Sequence, residues 1–240
     1  MIGLCLLVMV TAASTPVKSG PVRVLVITGG HDYNKEEFKG MLTAMGDHFS
    51  CTVMEFPGAF DMFLPENQGK YDVLVFYHMW QDIGKDQMEA MAGCIHERKP
   101  LVVLHHSICA FDNWDEYIQI VGGKYFHQPK NIGGRQYPAS SYEHDRNIPL
   151  LVVNAGHPVT KGLKDFTLFD ETYKDFYVMP GVKPLLRTTD PTSSPVVAWA
   201  HQYGKSRVVT IQSGHDTPTY RDANYRTLLR QAVLWVYQKK

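Results

Sequence analysis

Val22-Arg-Val-Leu-Val-Ile-Thr-Gly-Gly-His31 is an apolar run that stops at a pair of glycines and then presents His31 and Asp32. A run broken only by Arg23 has no polar alternation, which is the pattern of a strand covered on both faces. The same pattern recurs downstream. Cys51-Thr-Val-Met-Glu-Phe56 closes on Pro57-Gly58, Tyr71-Asp-Val-Leu-Val-Phe-Tyr77 on His78, and Leu101-Val-Val-Leu104 on His105-His106-Ser107. Between these runs, Phe38 to Met45 and about Lys85 to Glu97 have helical spacing. Buried strands alternating with helices predict an α/β fold, a single doubly wound and mostly parallel sheet flanked by helices.

The second half is less regular. Residues 122–148 are rich in Gly, Tyr, His, Asn and Pro, which predicts a loop or hairpin insertion. Leu150–Asn154, Lys183–Thr188, Pro195–Ala200 and Arg207–Gln212 read as short strands. One last helix, about Tyr220 to Gln238, places Tyr225, Leu228, Leu229, Ala232, Val233 and Val236 on a single apolar stripe. No repeat or low-complexity tract follows Gly20, so residues 22–240 read as one domain.

The chain has 240 residues, of which 44% are apolar and 20% charged, enough apolar content for a folded core. Its 24 basic and 24 acidic residues cancel, which leaves no global footprint for nucleic acid or an anionic membrane. Ile2 to Val10 is apolar and Thr11-Ala-Ala-Ser14 is small, so residues 1–14 read as a cleaved secretory signal and 15–21 as a flexible start. The run is shorter than the ~20 residues of a membrane span. No Lys or Arg precedes it, a departure from the usual signal. The expected location is extracytoplasmic, either periplasmic or secreted. Cys51, Cys94 and Cys109 would then remain, with no CxxC spacing for a disulfide framework or a thiolate metal site.

Ligands of open α/β sheets bind beyond the carboxyl ends of the strands. Four such ends carry histidine here: His31, His78, the pair His105-His106, and His215 in Gly214-His-Asp216. Carboxylates are available at Asp32, Asp216 and the pair Asp170-Glu171. Neutral imidazoles with a carboxylate make a divalent metal site, zinc or similar. Alternatively, one histidine serves as general base, another as acid, and a carboxylate sets the tautomer. Both readings stand against a plainer one, in which Asp32 and Asp216 cap helices and their histidines line a polar rim. Thr28-Gly-Gly-His31 lacks the dinucleotide spacing and there is no Walker sequence, so neither NAD nor a nucleotide is expected. The stretch Val103 to Cys109 is placed like a nucleophile elbow, but the elbow itself is His105-His106. Ser107 and Cys109 follow without the flanking glycines, which disfavours covalent catalysis.

Several marks occur in order: Thr28-Gly-Gly-His31, Val103-Leu-His105, Gly122-Gly-Lys-Tyr-Phe-His127, Gly156-His-Pro-Val-Thr160, Asp170-Glu-Thr-Tyr173 and Gly214-His-Asp216. Together they resemble the ThuA-like (trehalose-utilisation) family over roughly Val22 to Tyr237. The resemblance implies a class I glutamine amidotransferase-like, flavodoxin-like fold whose amidotransferase cysteine has been replaced. It further implies a site around His105, His127, Glu171 and His215, and an association with disaccharides oxidised at C3 of the sugar. The sequence departs from the family by carrying His106 where a small residue is usual. The expected function is carbohydrate processing, with His105 and His215 as the acid/base or metal pair and Glu171 orienting them. A metal would take its ligands from His105, His127, Glu171 and His215. The substrate would be bound by His31, His78, His106, His127 and Asp216, and a homo-oligomer is compatible with the sequence. The alternatives are a metal-dependent extracytoplasmic hydrolase and a non-catalytic sugar-binding module. Trp80, Tyr142 and Tyr173 offer aromatic faces to a sugar or to the core. His48, His96, His144, His157 and His201 are read as ordinary surface or packing residues.

Overall fold

A computed structural model describes residues 20–238, so the expected signal at residues 1–14 lies outside the described residues. The first half alternates as the sequence predicts: β1 (Val22–Gly29), α1 (Lys35–Thr43), β2 (Phe49–Glu55), β3 (Val73–His78), α2 (Lys85–His96) and β4 (Leu101–Leu104). Asn34, not Asp32, caps α1, its side chain accepting from the Glu37 backbone N–H. After a 3-10 turn over His105–Cys109 come α3 (Tyr117–Val121), β5 (Gly123–Lys124), β6 (Lys130–Ile132) and β7 (Arg135–Tyr137). The chain continues through β8 (Ser141–Val152), β9 (Phe166–Lys174), β10 (Tyr177–Val178), β11 (Lys183–Thr188), β12 (Val196–Tyr203) and β13 (Ser206–Ile211). It ends in α4 (Thr217–Arg221) and α5 (Ala223–Tyr237).

The main sheet has nine strands in the order β2-β1-β3-β4-β13-β12-β11-β8-β9. From β2 to β13 every pairing is parallel, and from β13 to β9 every pairing is antiparallel. Only β12 and β8 therefore run against the common strand direction. The chain leaves β1 for β2 on one side and returns to β3 on the other, and such a reversal opens a crevice at the strand ends.

Alternation of side chains explains why these strands need cover on both sides. Val24 and Val26 of β1 pack with Phe38, Met41, Leu228 and Leu229, in the layer formed by α1 and α5. Leu25 and Ile27, the residues between, pack with Phe76, Met91, Ile95 and Tyr117, in the layer of α2 and α3. Both faces are apolar, so the strand has no room for a polar alternation.

Three elements differ from the sequence expectation. The insertion is a hairpin, β6 with β7, but it is shorter than expected because β8 already begins at Ser141. Residues 141–147 are mostly exposed and polar, which hides the strand from a periodicity reading. β9 is hidden for the opposite reason, since it buries Asp170, Glu171 and Thr172 where a strand normally buries apolar groups. The last helix breaks in two at Asp222, whose carboxylate accepts from the Asn224 and Tyr225 N–H groups and starts α5. Among the described residues no helix is long and apolar enough to cross a membrane.

Candidate functional site

His105 stands at the carboxyl end of β4 with φ of +43°, a left-handed conformation that a non-glycine residue rarely adopts. Consecutive strand residues point to opposite faces, but this reversal brings the His105 and His106 rings together, with centroids 4.3 Å apart. His105 is completely buried. Its Nδ1 donates to the Gln212 carbonyl at 2.6 Å, so in the neutral ring Nε2 is the acceptor and receives the Tyr173 hydroxyl at 3.0 Å. The same Nε2 lies 2.9 Å from Glu171 Oε2. That approach is off the N–H line, so Oε2 has no aligned hydrogen bond in spite of the short distance. Burial opposes the charged imidazole, but Glu171 and Asp170 outweigh it and raise the His105 pKa.

Glu171 comes from β9, and its partners come from three other strands. His106 Nε2 is 3.9 Å from Oε2, and His144 Nδ1 is 3.4 Å from Oε1. Burial pushes the Glu171 pKa up, but its contacts with His105 and the His215 charge reverse the shift and hold it below the usual carboxylate value. Burial drives the His106 pKa far down, reinforced by the neighbouring imidazoles, so this ring stays neutral. His215, at the end of β13, is shifted down for the same first reason.

The backbone of Gly214-His215 is fixed by Asp170. This buried carboxylate accepts from the Gly214 N–H at 2.7 Å and the His215 N–H at 2.9 Å. From the opposite side, the Tyr77 hydroxyl donates to the Gly214 carbonyl at 2.9 Å. Asp170 is thus an anchor, and Glu171, its neighbour on the strand, is the member of the pair that faces the imidazoles.

The sequence reading missed His144. It lies on β8, where Glu143 pairs with Thr172 and Arg146 with Asp170, so both His144 and Asp145 oppose Glu171. This is a β-bulge, with Asp145 at φ +57°, and bulges commonly re-aim side chains near active sites. The His144 ring lies 4.9 Å from that of His215. A cavity of about 250 Å³ opens here, lined by His144, Phe169, Glu171, His215 and Asp216 among others.

His31 joins the cluster from the end of β1, its ring 4.4 Å from His106, and burial lowers its pKa. Asp216 lines the cavity and makes no capping hydrogen bond to α4, which removes the plainer reading of that residue. Two expected residues have partners outside the Glu171 cluster. His78 is fully buried among Phe56, Phe76 and Phe111. His127 pairs through Nδ1 with Asp112 Oδ2 at 2.6 Å, and Asp112 also binds the buried Lys124 at 2.9 Å. Tyr173 stacks on His105 and is buried, Tyr142 is exposed, and Trp80 lines a separate cleft of about 420 Å³ that has no histidine in its wall. Cys109 is buried and its thiol is pushed up to about 12, which agrees with the exclusion of a cysteine nucleophile.

Single donor atoms of His105, His106, Glu171 and His215 all lie within 4.8 Å of one another, so the arrangement suits a metal ion as well as proton transfer. The metal-competent group contains His106 in place of the expected His127.

The fold has known counterparts. The chain is similar in structure to a ThuA-like protein of Parabacteroides merdae ATCC 43184, with a TM-score of 0.73, 17% identity, and coverage of 92% of this chain and 93% of that one. A ThuA-like protein of Bacteroides uniformis ATCC 8492 gives 0.69, 18%, 92% and 94% in the same order. A GMP synthase-like protein from Thermoplasma acidophilum gives 0.55, 12%, 90% and 94%, a likeness of fold consistent with a glutamine amidotransferase-like architecture. No curated protein sequence matches the chain significantly. The family model for trehalose utilisation, ThuA, matches residues 23–236, nearly the whole chain, and the chain therefore belongs to the ThuA family.

Proposed function

We propose that the chain processes an uncharged carbohydrate, a disaccharide or glycoside whose sugar ring carries a ketone at C3, at the cluster around Glu171. The observation that carries this reading is the convergence of imidazoles from the ends of β4 and β13 and from the bulge of β8 around one buried carboxylate, with His31 from the end of β1 against His106, beside a small open cavity. Family membership supports the substrate class, through its association with sugar utilisation. A chain of zero formal net charge and a cavity lined by carboxylates and imidazoles, without Lys or Arg, disfavour an anionic ligand and are compatible with an uncharged one.

The chemistry follows from the ketone. A C3 carbonyl acidifies the hydrogen on C2, and an imidazole is the side chain best matched to take that proton near neutrality. His144 and His215 line the cavity and are placed for proton transfer, while buried His105 orients Glu171 from behind. Loss of the C2 proton gives an enolate. Its collapse forms the C1–C2 double bond, breaks the bond from C1 to the leaving oxygen, and requires a proton for that oxygen. The products are an unsaturated ketone and the free alcohol, with no oxidant consumed.

The test is turnover of a 3-keto-glycoside followed by mass spectrometry. The expected product is the elimination product, and His105→Ala and His215→Ala should each lose about 100-fold or more in rate with the fold intact. Full activity in both variants overturns the assignment. A product that carries added water points to the metal-dependent hydrolase, and binding without turnover to a sugar-binding module; either result rejects this reading.

A further inference from the structure

We propose that His105, His106, His215 and Glu171 form a binding site for one first-row divalent transition metal. The inference deepens the reading above, because the ion would adjoin the cavity and meet an α-hydroxyketone, whose adjacent oxygens suit chelation.

One unsatisfied atom points to a missing ligand. Glu171 Oε2 is buried and has no hydrogen-bond partner. Glu171 is only 3% exposed, and water does not reach a carboxylate oxygen so placed as it reaches a surface group. A cation on Oε2 satisfies this atom directly and explains why three imidazoles crowd around one carboxylate.

The spacing fits. Donor atoms bound at about 2.1 Å in a tetrahedral set lie ~3.4 Å apart. The distances from Oε2 to His105 Nε2 and His106 Nε2, 2.9 and 3.9 Å, bracket that value. All four donors fall within 4.8 Å, so small side-chain rotations close the set. The left-handed turn at His105 serves this arrangement, because it turns two adjacent imidazoles into one site.

Outer contacts orient the ligands, as metal sites require. Gln212 O holds His105 Nδ1, which leaves Nε2 facing inward. His144 approaches the free oxygen of Glu171, and Asp216 Oδ2 lies 3.8 Å from His215 Nδ1. Three imidazoles and one carboxylate without thiolate favour zinc, manganese or iron over calcium or magnesium. Bound there, the ion would act as a Lewis acid toward a carbonyl. His215 then serves as a ligand, and His144, half-exposed at the mouth, is the cavity imidazole left for proton transfer.

The experiment needs no substrate. The full chain is stripped by chelation, reloaded with zinc or cobalt(II), and its metal content and cobalt visible absorption are measured. About one equivalent is expected in the wild type and in His127→Ala. Stoichiometric binding and the cobalt spectrum should be lost in His106→Ala and Glu171→Gln, with circular dichroism confirming the fold. His144→Ala should bind about 10–100-fold more weakly. No binding by the wild type overturns the proposal, as does equal binding in Glu171→Gln and His106→Ala. Metal bound at one equivalent without turnover of a 3-keto-glycoside, tried separately, removes the sugar reading and leaves the metal site. Turnover by a protein that binds no metal removes the metal site and leaves the sugar reading.

Discussion

Asp170 and Glu171 are neighbours on one strand, yet burial and partners give them separate tasks. Asp170 turns both oxygens to backbone donors, and Glu171 turns both toward imidazoles. Replacing Asp170 by Asn puts an amide N–H₂ against one of those N–H donors. Hydrogen bonds to a charged acceptor are worth more than neutral ones, so Asp170→Asn should cost about 2–3 kcal/mol in a urea unfolding experiment. It should also displace the Gly214-His215 turn and lower activity. A change under about 0.5 kcal/mol would show that the turn is held by Tyr77 alone. The order Asp-Glu alone did not reveal which carboxylate holds the backbone and which faces the imidazoles. His105 and His215 were legible because each ends an unmistakable apolar strand. His78 ends one too, but its ring turns into an aromatic nest, a choice of side that strand position does not dictate.

At the level of elements, the site depends on β8 and β9, the two strands least visible in the sequence. Pattern reading finds strands that bury apolar residues, and it recovered β1, β3, β4 and β13 for that reason. β9 buries carboxylates and β8 is largely solvated over its first half, so neither presents the periodic signal. His144 was missed with its strand. Its position depends on the bulge, in which Asp145 takes φ +57°. Glycine adopts that conformation freely, whereas a β-branched residue resists it. Asp145→Gly should therefore leave stability unchanged or raise it by up to about 1 kcal/mol. Asp145→Val should lower it by about 1–2 kcal/mol and reduce turnover, because the strand is pressed back toward regular pairing. Urea midpoints and steady-state rates read both effects. Equal stability of the two variants would mean that the bulge does not depend on this residue.

For the whole molecule, burial of histidines makes stability depend on pH. Burial lowers the pKa of His31, His78, His106, His157, His201 and His215. A histidine with a depressed folded pKa binds its proton more readily in the unfolded chain. Below the unfolded value of about 6.5 the unfolded state therefore holds more protons, and stability falls as pH falls. His105 works the other way, since its raised pKa favours the folded state on acidification until both states are protonated. One group opposes six, and the balance is destabilising. Of these six, His78 is fully buried and His106 only 13% exposed, and each contributes a slope approaching ~1.4 kcal/mol per pH unit below about pH 6. The urea midpoint should thus drop steeply between pH 7 and pH 5, above the range where paired carboxylates such as Glu171 begin to lose their charge. His78→Leu separates this cause from the site, because its ring touches Phe56, Phe76 and Phe111 and none of the Glu171 partners. That variant should keep the fold and lose about one proton's worth of slope, ~1.4 kcal/mol per pH unit. A midpoint equal at pH 7 and pH 5, or a slope unchanged in His78→Leu, would mean that the buried imidazoles take up no protons on unfolding.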